Sequence, residues 1–156
     1  MSYNTEKISK ERWAYSWSKG KEVEDIFYYT MSERGHKVEK TNVHDDKMKH
    51  IDFYVNGIGV DIKASKNKEE LWLEVVNVKG FDGWLKGEAK YIIFYINEVF
   101  YVFEREGLLD YVKTNVKETT TKKEYNKFYS RKEWLQDDVI VKVRFFDIEH
   151  LLKQTI

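Results

Sequence analysis

Apolar and polar positions alternate most clearly between His50 and Ser65 (HIDFYVNGIGVDIKAS). Two short runs flank Asn56-Gly57, and an Asn-Gly pair between such runs predicts a tight hairpin, because both turn residues must tolerate positive φ. With those two residues in the turn, Val55 faces Ile58, Phe53 faces Val60 and Ile51 faces Ile62. All three pairs are apolar, as one buried face requires. The other face then carries Tyr54 opposite Gly59 and Asp52 opposite Asp61, with Lys63 two residues further on the same side. A turn centred on Gly57-Ile58 would set Asp52 opposite Lys63 and keep all three on one face.

The same reading extends along the chain. Trp13 and Trp17 lie one helical step apart in a segment, residues 1–17, that suits a short helix or an arm packed on the flank. Val23, Ile26, Phe27 and Met31 form one stripe at helical spacing, so a helix is expected over Lys19–Arg34, closed by Gly35. Glu24 borders that stripe. His36–Val43 reads as a strand anchored by Val38, and His44–Lys49 (HDDKMK) as a polar loop whose consecutive acids are more simply solvated than metal-binding. Leu71–Val78 reads as a further strand of the sheet, rich in β-formers, in which Glu74 and Asn77 point to opposite faces. Lys79–Lys90 is a glycine-bearing loop with one helical turn, and Trp84 there is expected to pack on the core rather than stack on a base. Tyr91–Ile96 and Val99–Phe103 are strands joined at Asn97-Glu98, and Arg105–Lys113 a short helix. Val139–Phe145 is a strand, and Asp147 is expected to cap a final helix bearing Ile148, Leu151 and Leu152.

Composition narrows the class. The 156 residues suit one domain with a real core. Lys plus Arg and Asp plus Glu are both 27, which argues against a surface that grips nucleic acid all over but leaves room for a local basic patch. Such a patch is offered by Tyr111–Glu133, where Lys122, Lys123, Lys127 and Arg131 are interleaved with Tyr125, Phe128 and Tyr129. Lysines on phosphates and rings on bases suit that pattern, and a solvated loop suits it equally. There is no cysteine, so disulfides and thiolate metal sites are excluded. The longest strongly apolar run, Tyr91–Ile96, is too short to span a membrane, and the first residues lack the apolar core of a signal peptide. An intracellular, cytoplasmic protein is expected.

Asp52, Asp61 and Lys63 are the candidate chemistry. Two carboxylates about 5 Å apart on one face repel each other unless something compensates. A divalent cation is the natural compensation, since Mg²⁺ takes hard oxygen ligands, often one or two carboxylates with substrate phosphate oxygens. The nearby lysine could orient a water or stabilise phosphoryl oxygens. A half-exposed hairpin with a solvated polar face would carry the same residues.

The order of elements tips that balance. A helix with Glu24 (GKEVEDIF, then RGHKV) precedes a strand, the Asp52 strand (HIDFYV), the Asp61-Ile62-Lys63 strand (VDIKAS) and a further strand. This resembles the PD-(D/E)XK nuclease superfamily over roughly residues 18–78, with Ile51 where the motif's proline would stand. The resemblance implies an α/β (α+β) fold, a mixed central sheet flanked by helices with a restriction-endonuclease-like core. It implies a Mg²⁺-dependent deoxyribonuclease, with Mn²⁺ as a substitute. Asp52, Asp61 and the carbonyl of Ile62 would be metal ligands, Lys63 the catalytic lysine, and Glu24 an outer or second-metal ligand. The small size is similar to that of structure-selective members such as Holliday junction resolvases, which act as homodimers on branched DNA, and the style suits a bacteriophage product. The alternative is a binding module for nucleic acid or another partner on the same fold, without chemistry.

Overall fold

The computed structural model describes residues 19–130 and 137–156, an α+β arrangement of two sheets with helices. The expected helix is present as α1 (residues 19–33) and is closed by Gly35 at φ +85°. Then follow β1 (Val38–Lys40), α2 (Val43–Lys49), β2 (Phe53–Val55), β3 (Ile58–Ala64), β4 (Leu71–Val76), β5 (Tyr91–Ile96) and β6 (Val99–Glu104). The chain continues through α3 (Arg105–Asn115), β7 (Thr119–Thr120), β8 (Phe128–Ser130), β9 (Val139–Val143), α4 (Phe145–Ile148) and β10 (Leu152–Thr155). The first sheet has the order β1-β2-β3-β5-β6-β10 and is mixed, since β3 pairs β5 in parallel and its other pairs are antiparallel.

β5 explains why this sheet is a middle layer. YIIFYI has no polar interruption, as a strand covered on both faces requires. Ile93 faces Val23, Phe27 and Met31 of α1, together with Phe53, Val60 and Ile62. Ile92, Phe94 and Ile96 face the other way, onto Leu71, Leu73, Val141 and Val143 of the second sheet and Leu108 and Val112 of α3. Asp61 and Lys63, one residue out of phase with Val60 and Ile62, therefore point into this second interface.

Several expectations are corrected. β4 does not join the hairpin's sheet: it pairs with β9 in a second sheet ordered β4-β9-β8-β7. The polar HDDKMK segment is a helix, α2, because Asn42 caps it by accepting the Asp45 N–H at 2.8 Å. The terminal helix lasts one turn. Asp147 occupies its third position and accepts the Arg144 N–H at 2.9 Å, after which the chain returns as edge strand β10. Trp13 and Trp17, like Arg131, lie outside the described residues. Among the described residues no helix is long and apolar enough to cross a membrane.

Candidate active site

The hairpin turns at Asn56-Gly57, both at positive φ, and pairs Val55 with Ile58, Tyr54 with Gly59 and Phe53 with Val60, as the sequence predicts. The predicted register then breaks. The Asp52 N–H donates to the Val60 carbonyl at 2.8 Å, so Asp52 and Phe53 share one partner, the arrangement of a β-bulge. The bulge reverses the alternation. Ile51 does not face Ile62; it packs in the second interface, where its methyl lies 2.9 Å from the place a Gly59 Cβ would occupy. Gly59 is needed for that close approach.

The bulge also aims Asp52 at β3. Its Oδ2 accepts the Ile62 N–H at 2.8 Å, so Ile62 contributes its amide to the acid. Asp61 is 2% exposed. Its Oδ1 holds the Lys63 ammonium at 3.1 Å. Asp52 and Asp61 each act on the other's protonation. Oδ2 of Asp61 is buried with no hydrogen-bond partner. Such an atom carries its full desolvation cost.

The energetics follow from this burial. Burial, and next the Asp61 charge, push the Asp52 carboxyl up to about 8 against the pull of Lys63 and the Ile62 amide. Burial raises Asp61 as well, opposed by Lys63. For Lys63, burial works against the ammonium, but the fields of Asp61, Asp52 and Glu74 outweigh it and hold the proton on. Its ammonium also lies 5.2 Å from the centre of the Trp84 ring, a favourable cation–π distance.

Trp84 is buried in the second interface, as expected of a packing residue, and it floors the site. Glu74 accepts the Trp84 N–H at 3.3 Å and acts on Lys63, so it joins the site's surroundings. Asn77 instead caps its own turn through the amides of Lys79 and Phe81.

Glu24 is brought to the site's outer edge. Its Oε2 meets the Lys40 ammonium at 3.1 Å, and burial followed by Asp52 raises its pKa while Lys40 lowers it. Two residues not singled out by sequence reasoning complete the group. Lys40 sits at the end of β1, and Asp46 on α2 exerts its field on Glu24, Asp61 and Lys40. The signal for Asp46 was present: Asn42 three residues before Asp45 is a helix-start pattern. Lys40 carried none, since its partner Glu24 is sixteen residues away.

The basic segment behaves differently from its pattern. Tyr129 is buried, and Phe128 packs against the interface below it. Tyr125 lies under Lys142 and Arg144 and donates its hydroxyl to the Glu69 carbonyl at 2.7 Å. Lys127 is paired with Glu118 and Glu124, both at 3.2 Å. Lys122 and Lys123 remain exposed. Phe128 and Tyr129 thus serve packing, and Tyr125 serves as a platform for Lys142 and Arg144.

The donor set suits a hard divalent cation: two carboxylates, both raised chiefly by burial, and one buried oxygen lacking a partner. Comparison with known proteins finds no matching family model, no matching curated protein and no matching solved structure.

Proposed function

We propose that this protein is a Mg²⁺-dependent endonuclease that hydrolyses DNA phosphodiester bonds, with branched DNA such as a Holliday junction as preferred substrate. The reading rests on one observation: Asp61, buried with an unpartnered oxygen, lies beside a raised Asp52 and 3.1 Å from a lysine. Asp52 and Asp61 would hold the cation, with Mn²⁺ able to substitute. When bound, the cation neutralises phosphate charge and lowers the pKa of a water. Lys63 keeps its proton under the fields of Asp61, Asp52 and Glu74, so it works as an ammonium and not as a base. It orients the attacking water and balances charge on the phosphoryl oxygens. Trp84 shields that ammonium from one side. Side-chain exposure rises from Asp61 at 3%, through Glu24 at 22% and Lys63 at 31%, to Lys40 at 62%. A phosphodiester would therefore enter over Lys40. Cutting both strands of a branch requires two such sites, hence a homodimer.

A binding module without chemistry is favoured by one feature. Among the described residues, no three His, Cys, Asp or Glu side chains stand together as a metal cage. A cleavage assay separates the readings. Labelled single strand, duplex, flap and four-way junction are incubated with Mg²⁺, Mn²⁺ or EDTA, using the parent and Asp61→Asn. The expected result is metal-dependent cutting, strongest on the junction and reduced at least about a hundredfold in the variant. Equal cutting by the variant removes Asp61 from the chemistry. Binding of DNA with no cutting in any lane establishes the module.

A further inference from the structure

Three cationic side chains gather where the loop after β3 meets the end of β9, and aromatic rings seat all three. The Lys142 ammonium and the Arg144 guanidinium lie 4.4 Å and 4.1 Å from the centre of one ring, that of Tyr125. The Lys68 ammonium lies 4.7 Å from the centre of the Phe145 ring and 4.9 Å from that of Tyr101. At such distances a ring face attracts a cation. Backbone bonds hold the pieces together. The Phe145 N–H donates to the Lys68 carbonyl at 2.7 Å, and the Tyr125 hydroxyl donates to the Glu69 carbonyl at 2.7 Å. Tyr125 also bridges to Lys142 along the outer side of β9.

The grouping is uncompensated. Sharing one ring centre keeps Lys142 and Arg144 no more than about 8.5 Å apart, inside the screening length of about 10 Å at 0.1 M salt. Like charges at that separation repel. Among the described residues, Lys68, Lys142 and Arg144 take part in no ion pair. Two neighbouring acids are engaged elsewhere: Glu70 accepts the Trp72 indole N–H at 3.2 Å, and Asp147 accepts the Arg144 backbone N–H at 2.9 Å. In a chain whose formal charges cancel, three cations seated together without a carboxylate mark a place for an anion.

We propose that Lys68, Lys142 and Arg144 form a docking surface for the sugar-phosphate backbone of DNA. The identity of the polyanion rests on the nuclease reading above; the surface goes beyond that reading by saying where the substrate is held. Arg144 is exposed and presents a planar fork to two phosphate oxygens, while the two lysines act as point charges. Lys142 donates to the Lys123 carbonyl at 3.5 Å, which leaves two of its three protons for a phosphate. Cations spread over two chain segments on an open face suit a run of phosphates better than one small anion. Tyr125 offers its ring to the two cations, so the surface reads charge and not base identity. The aromatic seats restrict these side chains before DNA arrives, so less freedom is lost on binding. Lys68 stands in the loop that leaves β3, the strand of Asp61 and Lys63, so a backbone gripped there is tied through a short stretch of chain to the candidate active site.

Salt dependence of binding tests this. Anisotropy of a labelled four-way junction is measured in EDTA over a range of salt for the parent, Lys68→Gln, Lys142→Gln, Arg144→Gln and the triple variant, each confirmed folded by circular dichroism. The slope of log K against log salt should fall by about 0.9 in each single variant and by roughly 2–3 in the triple, with at least about a tenfold loss of affinity at 0.1 M salt. A parental slope in the triple variant overturns the inference; if the triple misfolds, parental slopes in the three single variants do so. In either case Mg²⁺-dependent cutting by the parent leaves the nuclease reading in place. Binding with the expected slopes and no cutting in Mg²⁺ or Mn²⁺ upholds the surface and removes the nuclease reading. No binding by the parent overturns the surface, and the cleavage assay then judges the active site separately.

Discussion

At the residue scale, the site is defined by a carboxyl pair whose burial raises both members. Asp52 has a folded-state pKa of about 8 against an ordinary value of 3.8. Between those values the unfolded chain has lost this proton while the folded one keeps it. The folded state binds more protons there, so its stability falls as pH rises, by at most about 1.4 kcal/mol per pH unit for one group. Below 3.8 the contribution vanishes, and above 8 the penalty is constant. Raised Asp61 and Glu24 act in the same direction. Urea unfolding in EDTA from pH 4 to pH 9 should show that decline, and Asp52→Asn should flatten it and be more stable than the parent at pH 8. An equal or steeper decline in the variant would place the titration elsewhere. The Asp-x-Lys spacing announced Asp61 and Lys63, because a period of two puts residues 61 and 63 on one face. Nothing local announced Lys40, whose ion-pair partner is a glutamate in another element.

At the element scale, a bulge and two glycines decide what reaches the site. Asp52 comes to Asp61 because the strand slips by one residue at Val60, and Ile51 turns into the second interface to fill the space beside Gly59. Gly83 performs a similar service for Glu74. A Cβ there would stand 2.5 Å from the Glu74 carbonyl oxygen and 2.7 Å from its Cγ. Backbone cannot yield as a flexible side chain can, so Gly83→Ala should destabilise the fold by about 1–3 kcal/mol. It should also displace Trp84 from Lys63, read as a change in tryptophan fluorescence. An alanine variant with parental stability and emission would show that the 82–86 turn is free to move. The hairpin was legible because its turn chemistry is local. The end of the chain was not, since Leu152–Thr155 gains its strand partner only from β6.

At the scale of the whole molecule, two sheets face each other across one apolar interface, and the polar site sits at its margin. An open cleft of about 600 Å³ lies on the other side of the first sheet, between Lys19, Glu22 and Ile26 of α1 and residues Ala64–Lys66. With formal charge balanced overall, attraction for a phosphate backbone must be local. Lys122 and Lys123 are exposed, whereas Lys127 is committed to two glutamates. Replacing Lys122 and Lys123 by glutamine should lower the slope of log K against log salt for DNA binding by roughly 1–2, given about 0.9 per lost phosphate contact. Adding Lys127→Gln should change it little. An unaltered slope in the double variant would assign this segment to packing alone.

The sequence by itself determined the elements whose cause is local: α1 and its glycine stop, the Asn-Gly hairpin, the β5–β6 pair and the phase that sets Asp61 and Lys63 together. Each follows from side-chain period or from a turn's demand for positive φ, and needs no distant partner. The tertiary structure decided the rest. It placed β4 in a second sheet, turned Phe128 and Tyr129 of the basic segment inward, and set Lys40 against Glu24. Those outcomes depend on which surfaces meet, and short polar runs carry no pattern strong enough to specify that. The hairpin shows the boundary: its turn fixes three residue pairs, and the bond from Asp52 to Val60 then turns Ile51 away from Ile62.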